Sequence, residues 1–466
     1  MSIGVCYPDQ YAVEETFQLL KVPWEWYIPG RDYNVVIAYR ADVPGWTGYI
    51  IDLTENDFFK IISDLLNTGQ PHLHEPSCDL LLGKIREELK RYTILVEIPP
   101  APWGHPYMTA LTHDVDVTSV KECRFVTVGY AAFQCISRGE VCAGLRLGLS
   151  RIGIGSDPWA LFECWKALEG QLNVHSTFFF VPKKDDPGVR AHPYRAVGYE
   201  INMDVLRNLT QDGWEIGVHG IDNWADIQQG KQEMASIAID GKTLGNRTHW
   251  LLFDQNSWKA LDEAGYSYDT TFGYNDDVGC RAGTLQAYRP RTAKRLLELP
   301  LHIQDLGLLG KFCWAPTDNG WVKTPCLHLD PAAAHEYCTR IFDFAKKCGG
   351  AVTILWHYEN LAPPRDWSGH YVDLVKRAQA DGAWVTNAGG VVEWFNRRRN
   401  TGIEYVRDEN TITIRIRNPD YGQRPLMRLR VHIDPAHISS VDTEWSAGDG
   451  YIDIACTRPE IMVTLL

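Results

Sequence analysis

Leu111-Thr112-His113-Asp114-Val115-Asp116 decides how this chain is read. Met108, Ala110 and Leu111 lead into it, so the segment reads as the end of a buried strand. Two carboxylates follow, two residues apart. On an extended chain, residues i and i+2 share a face, so Asp114 and Asp116 are expected to point into one site. Two carboxylates held together repel unless a proton or a metal ion offsets their charge. In isolation an Asp-x-Asp after a strand is more often a helix cap or a turn. Its weight therefore depends on what the rest of the chain supplies.

Four further segments supply matching parts, in order. His175-Ser176-Thr177-Phe178-Phe179-Phe180-Val181-Pro182 is β-rich and apolar and closes on a proline. Trp214-Glu215-Ile216-Gly217-Val218-His219-Gly220 reads as a strand ending on a histidine. Gly245-Asn246-Arg247-Thr248-His249-Trp250 places a cation and a second histidine at a turn. Val352-Thr353-Ile354-Leu355-Trp356-His357 is an apolar strand ending on a third. Strands that each deliver a polar residue at the end predict a barrel of parallel strands, with reactive groups gathered on one face. Singly, His219 and His357 could be satisfied core histidines and Arg247 a surface cation; the order of the segments favours a shared site.

In that order the motifs resemble the polysaccharide deacetylase family of carbohydrate esterases. The correspondence runs through Thr112-His113-Asp114 with Asp116, Ser176 to Phe179, Glu215 to His219, the Arg247 turn and Leu355 to His357, and spans residues 105–395. The resemblance implies a distorted (β/α) barrel in a divergent branch of the family. It implies a metal-dependent hydrolase of non-peptide carbon–nitrogen bonds, removing acetyl from an N-acetylated sugar or polysaccharide intermediate. By position, Asp114 is the general base, Asp116 and His219 are metal ligands, His357 is the general acid, and Arg247 holds the base. The implied cofactor is a divalent metal, zinc first.

Two departures from the family pattern stand out. Its acidic residues are more often adjacent, whereas Val115 separates Asp114 from Asp116. Its metal-binding histidines are spaced His-x-x-x-His, whereas here His219 is followed at that spacing by Asn223. An amide is a poor zinc ligand beside imidazole. Either Asn223 or its neighbour Asp222 coordinates in an oxygen-richer site, or His249 replaces the missing histidine, or metal affinity is weak. We favour His249, since a histidine beside Arg247 in that turn is hard to explain by packing. A non-catalytic binding or scaffold protein built on the same barrel is the competing class, and hydrolysis of another carbon–nitrogen bond is a third.

Composition sets the frame. The chain has 466 residues, 45% hydrophobic and 23% charged, ordinary for a soluble protein. Seventeen Trp and 21 Tyr suit surfaces that stack on sugars, although most buried aromatics only fill core. A net charge of −13 argues against nucleic acid as the main partner and against an anionic membrane surface. The 12 cysteines form no Cys-x-x-Cys pair, the start carries no basic and apolar leader, and no stretch reaches a membrane span. These features predict a cytoplasmic protein. Residues 1–104 read as a small α/β domain, ended by Pro99-Pro100-Ala101-Pro102-Trp103-Gly104. Residues 105–398 form the barrel, with 118–158 as an insertion near its mouth. From 399 to 466, alternating runs such as Thr411 to Arg417 predict a β-sandwich-like end.

Overall fold

Met108–Val115 is a strand in which all eight residues are buried, with apolar and polar side chains on both faces. That burial on two sides belongs to a parallel sheet covered on both faces. Its length lets it serve three neighbours. Ala351–Leu355 pairs with residues 108 to 112, Trp384–Asn387 with 108 to 111, and Thr177–Phe180 takes the second half, from 112 to 115. The computed structural model describes residues 3–39, 43–192, 195–196, 198–239, 244–317, 320–417 and 422–466.

From Thr177–Phe180 the sheet runs through Glu215–Gly220, Gly245–Thr248 and Tyr268–Asp269 to Leu297–Glu298, every pair parallel. On the other side, Ala351–Leu355 pairs in parallel with Ile303–Gln304. The two outermost strands are therefore consecutive in sequence, and residues 299–302 carry the chain from one edge to the other. This is the expected distorted barrel. The loops after its strands all lie on its C-terminal face.

The opposite end is closed by the helix Ala388–Asn400. Its first amides are satisfied from the barrel: Ala388 N donates to Thr177 Oγ1 at 2.9 Å and Gly389 N to Glu215 Oε2 at 2.8 Å. A carboxylate there also suits the positive end of the helix. Val391, Val392, Trp394 and Phe395 join Met108 and Ala110 in one core that continues into the C-terminal strands. Those strands form two four-stranded antiparallel sheets. Thr411–Arg417 alternates buried and exposed positions as its sequence predicts. Val96–Glu97, just before the proline-rich break, joins one of these sheets by pairing with Arg428–Val431.

At the N-terminal end, Ile3–Cys6, Glu25–Trp26, Val35–Ala38 and Ile50–Asp52 form a four-stranded parallel sheet. Helices Gln10–Leu20 and Phe58–Thr68 start where Asp9 and Asp57 accept from backbone amides inside them. One face of this sheet, with Ile3, Val5, Val35 and Ile37, shares a core cluster with the outer barrel, while Tyr33, Val36, Ala38 and Val43 form a small cluster of their own. Residues 118–158 contain two helices, Phe125–Ser137 and Val141–Arg151, on the C-terminal side of the barrel. All 12 cysteines are unpaired. Among the described residues no helix is long and apolar enough to cross a membrane.

Candidate metal centre

Asp114 and Asp116 stand at the C-terminal end of the long strand. His219 is near the end of its strand, Arg247 lies in the adjoining one, and His249 follows directly after it. Backbone pairing sets His219 beside Arg247. Asp116, His219 and His249 each bring one ligand-type atom, all within 4.8 Å of one another. His219 Nε2 lies 3.3 Å from Asp116 Oδ1, and His249 Nε2 lies 3.5 Å from the same oxygen. Both histidines are buried.

These groups fit a divalent ion. Asp116 Oδ1 is buried and has no hydrogen-bond partner among the described residues. His219 Nδ1 lies 2.8 Å from the Arg247 carbonyl. A carbonyl only accepts, so Nδ1 carries the hydrogen and Nε2 keeps its lone pair toward Asp116. A carboxylate oxygen facing two imidazole nitrogens is satisfied by a positive charge between them. Burial holds His249 at a pKa of about 3, outweighing the attraction of Asp116; this is the neutral form that a ligand requires. Burial opposes charge on His219 too, but there the Asp114 and Asp116 carboxylates prevail and its pKa is raised. One carboxylate oxygen and two imidazoles form a donor set that zinc accepts.

Asn223 is not directed to this group. Its amide nitrogen donates to Asn246 Oδ1 at 2.5 Å and to the Tyr266 hydroxyl at 3.4 Å, and its oxygen accepts from Thr248 Oγ1 at 3.4 Å. Asp222 is also committed elsewhere: its Oδ1 accepts from Val189 N at 2.9 Å and faces Arg195 Nη1 at 3.6 Å. The expectation of an Asn223 or Asp222 ligand is therefore corrected. Both side chains hold loops around the His219 strand, and His249 is the group that faces Asp116.

Asp114 lies beside the three. Its Oδ2 is 3.7 Å from His219 Nε2, and its Oδ1 is 3.4 Å from Arg247 Nη1. Arg247 is fully buried. It is fixed by Nε donating to the Thr270 carbonyl at 2.7 Å and by Nη2 donating to Thr112 Oγ1 at 3.2 Å and Thr270 Oγ1 at 3.0 Å. Across the site, His357 Nε2 is 3.9 Å from Asp116 Oδ2. Its Nδ1 is held at 2.7 Å by Asp305 Oδ1, while Asp305 Oδ2 accepts from His357 N and from Asn360 Nδ2. Burial opposes charge on His357, but the Asp305 carboxylate and its hydrogen bond outweigh it, and the pKa rises to about 10. His113, next to Asp114, has both ring nitrogens engaged, by the Trp356 carbonyl and by Glu169. It supports the strand.

Several groups at the site escaped the sequence. Asp305 follows the Ile303–Gln304 strand, so the strand-then-carboxylate signal was present, but the strand has two residues and sits in a leucine-rich run. Glu359, two residues after His357, has a buried Oε2 with no hydrogen-bond partner among the described residues, and burial together with the Asp116 carboxylate raises its pKa to about 7. Trp250, Trp314 and Trp321 gather around His192, with ring centroids 4.7 to 5.0 Å from it, and Trp250 lies 4.7 Å from Trp321. Trp250 itself packs 5.7 Å from His249. It stands in the left-handed backbone region, at φ +62°, as does Leu251 at +50°. Trp250 is part-exposed on this wall, whereas Trp356 and Trp224 are buried.

No protein-family model and no curated protein sequence matches the chain. Among solved structures it is similar to a protein of Mycobacterium smegmatis assigned as a polysaccharide deacetylase, at 20% identity and a TM-score of 0.41, covering 67% of this chain and all of that one. It is similar to PuuE allantoinase at 15% identity and a TM-score of 0.40, over 64% of this chain and 93% of the other. A protein of Pseudomonas aeruginosa PAO1, also assigned as a polysaccharide deacetylase, gives 17%, 0.40, 64% and 94% in the same order. The parallel sheet carries Asp, His, Arg and His, in this chain order, at the C-terminal ends of its strands.

Proposed function

We propose that the protein is a divalent-metal-dependent hydrolase that releases acetate from an N-acetylated sugar or polysaccharide intermediate. The observation that carries this reading is the Asp116–His219–His249 group flanked by two differently supported proton-transfer residues, Asp114 on Arg247 and His357 on Asp305. Zinc is the ion the donor set suits best. A bound divalent ion would acidify the attacking water and polarise the acetyl carbonyl.

The chain's own groups do the rest. Asp114, oriented by Arg247, takes a proton from the water as its oxygen bonds to the acetyl carbon. His357 carries a proton at neutral pH because Asp305 stabilises its charged form. Its Nε2 gives that proton to the sugar nitrogen as the carbon–nitrogen bond breaks, leaving acetate and a free amine. The part-exposed rings of Trp250, Trp314 and Trp321 offer apolar faces for the sugar. Unpaired thiols throughout suit a reducing, cytoplasmic setting.

The test is acetate release from a panel of N-acetylated sugars, with and without chelator. Activity should vanish with the metal and return with zinc. Asp114→Asn and His357→Ala should each lose about 100-fold or more in turnover while keeping the metal. Equal turnover by the wild type and Asp114→Asn would remove Asp114 as the base. No acetate from any sugar by metal-loaded wild type would point to another amide or to a non-catalytic role.

A further inference from the structure

The helices Phe125–Ser137 and Val141–Arg151 present an apolar surface on the wrong side. Val128, Ala131, Cys135 and Leu147 already anchor them to the main core. The two helices meet closely at Gly144, where a Cβ would lie 2.8 Å from the Ala132 carbonyl oxygen, so they form one preformed unit. A helix docked by one face should be polar on the other. Here the first helix contains no charged residue at all. Its outer positions Phe125, Val126, Tyr130 and Phe133 are 61 to 68% exposed. Leu145 and Leu149 of the second helix, and Ile152 and Ile154 beyond it, are exposed beside them. Phe312 lines one groove with Tyr130 of the first helix, and Phe312 and Val322 are both exposed on the hairpin of Phe312–Thr317 and Gly320–Pro325. Such a contiguous apolar face marks an interaction site.

We propose that this face docks on an anionic phospholipid surface, with the mouth of the barrel held at the level of the headgroups. The charges choose the occupant. Between residues 121 and 151, Lys121, Arg124, Arg138, Arg146 and Arg151 stand against Glu122 and Glu140 only, in a chain whose net charge is −13. Lys311 and Lys323 are exposed next to Phe312. Apolar side chains rimmed by cations are the pattern of a helix lying in a membrane interface. Helices of 13 and 11 residues are too short to span one. The negative charge of the whole chain argued against such a partner; its uneven distribution reverses that for this face. The proposal does not rest on the deacetylase reading, because its test measures no turnover.

The experiment is flotation of the full chain with vesicles of phosphatidylcholine alone and of phosphatidylcholine with phosphatidylglycerol. The comparison variant combines Val126→Ser, Phe133→Ser and Leu145→Ser, all at exposed positions outside the metal centre, so its thermal stability and zinc content should match the wild type. Wild type should float with the anionic vesicles and less so at high salt. The triple variant should partition at least about tenfold more weakly. Failure of the wild type to bind anionic vesicles would overturn the proposal. So would a wild-type dimer in light scattering that the triple variant converts to monomer without either protein binding lipid, since the face would then join two copies of the chain.

Discussion

Arg247 shows how a single side chain sets the chemistry of its neighbours. It reaches Asp114 with one nitrogen, anchors on Thr112 and Thr270 with the others, and receives His219 Nδ1 on its carbonyl. The planar fork matters, since an ammonium offers a point charge and cannot span these partners. Arg247→Lys should therefore lower turnover by roughly 10- to 100-fold, the equivalent of a lost hydrogen bond to a charged group. Zinc content should be retained, because the Arg247 carbonyl remains. Loss of the metal in this variant would show that the side chain orders the ligands rather than the base. The residues legible in the sequence were those announced by an apolar run and a polar end: Asp114, Asp116, His219, Arg247, His357. Asn223 carried the expected spacing, yet its amide is taken by Asn246, Thr248 and Tyr266, which no local pattern reveals. Asp305 follows a strand too short to announce it, and His192 reaches the site through tertiary placement alone.

Among the elements, the strand that bears Asp114 depends on a buried polar cluster behind it. Glu169 is fully buried and accepts from five donors: His113 Nε2 at 2.8 Å, Ser176 N at 3.2 Å, Ser176 Oγ at 3.0 Å, Trp214 Nε1 at 2.6 Å and the Tyr371 hydroxyl at 2.6 Å. It ties the helix Phe162–Leu172 to the strand Met108–Val115, to the residues that lead into two further strands, and to the helix Ser368–Ala380. Glu169→Gln substitutes an amide donor into a ring of donors. Breaking one partner of such a buried network costs on the order of 3–5 kcal/mol, so the denaturation midpoint should fall clearly in a urea titration. An unchanged midpoint would mean that the cluster is dispensable. The strands here were readable because long apolar runs leave few alternatives. The two-residue strands at Leu297–Glu298 and Ile303–Gln304 were not, since their pairing is set by the barrel's closure rather than by their own sequence.

At the level of the whole molecule, Arg398 joins segments that the sequence divides. It is buried on the helix that closes the barrel, and its guanidinium donates to the carbonyls of Gln18 and Leu19, to those of Ile98 and Pro99, and to Gln286 Oε1. Five acceptors from three parts of the chain would lose their donor in Arg398→Met. At roughly 1–3 kcal/mol for each buried group left unsatisfied, the variant should melt several degrees lower, and should expose the N-terminal segment to protease before the barrel. A cooperative melt at the wild-type temperature would show that these parts do not depend on this clip. Composition and punctuation suggested where the segments divide. The bonds across those divisions, such as Val96–Glu97 pairing with Arg428–Val431, were invisible because their partners lie far apart in the chain.

The central claim is that Asp116, His219 and His249 together hold one divalent ion. Crystals of zinc-loaded protein, measured above and below the zinc absorption edge, test it directly. The account predicts a single anomalous peak of about one ion per chain, within bonding distance of a carboxylate oxygen of Asp116 and the Nε2 atoms of His219 and His249, with Asn223 turned away. The absence of any peak after zinc loading, or a peak bonded to Asn223 in place of His249, would contradict it.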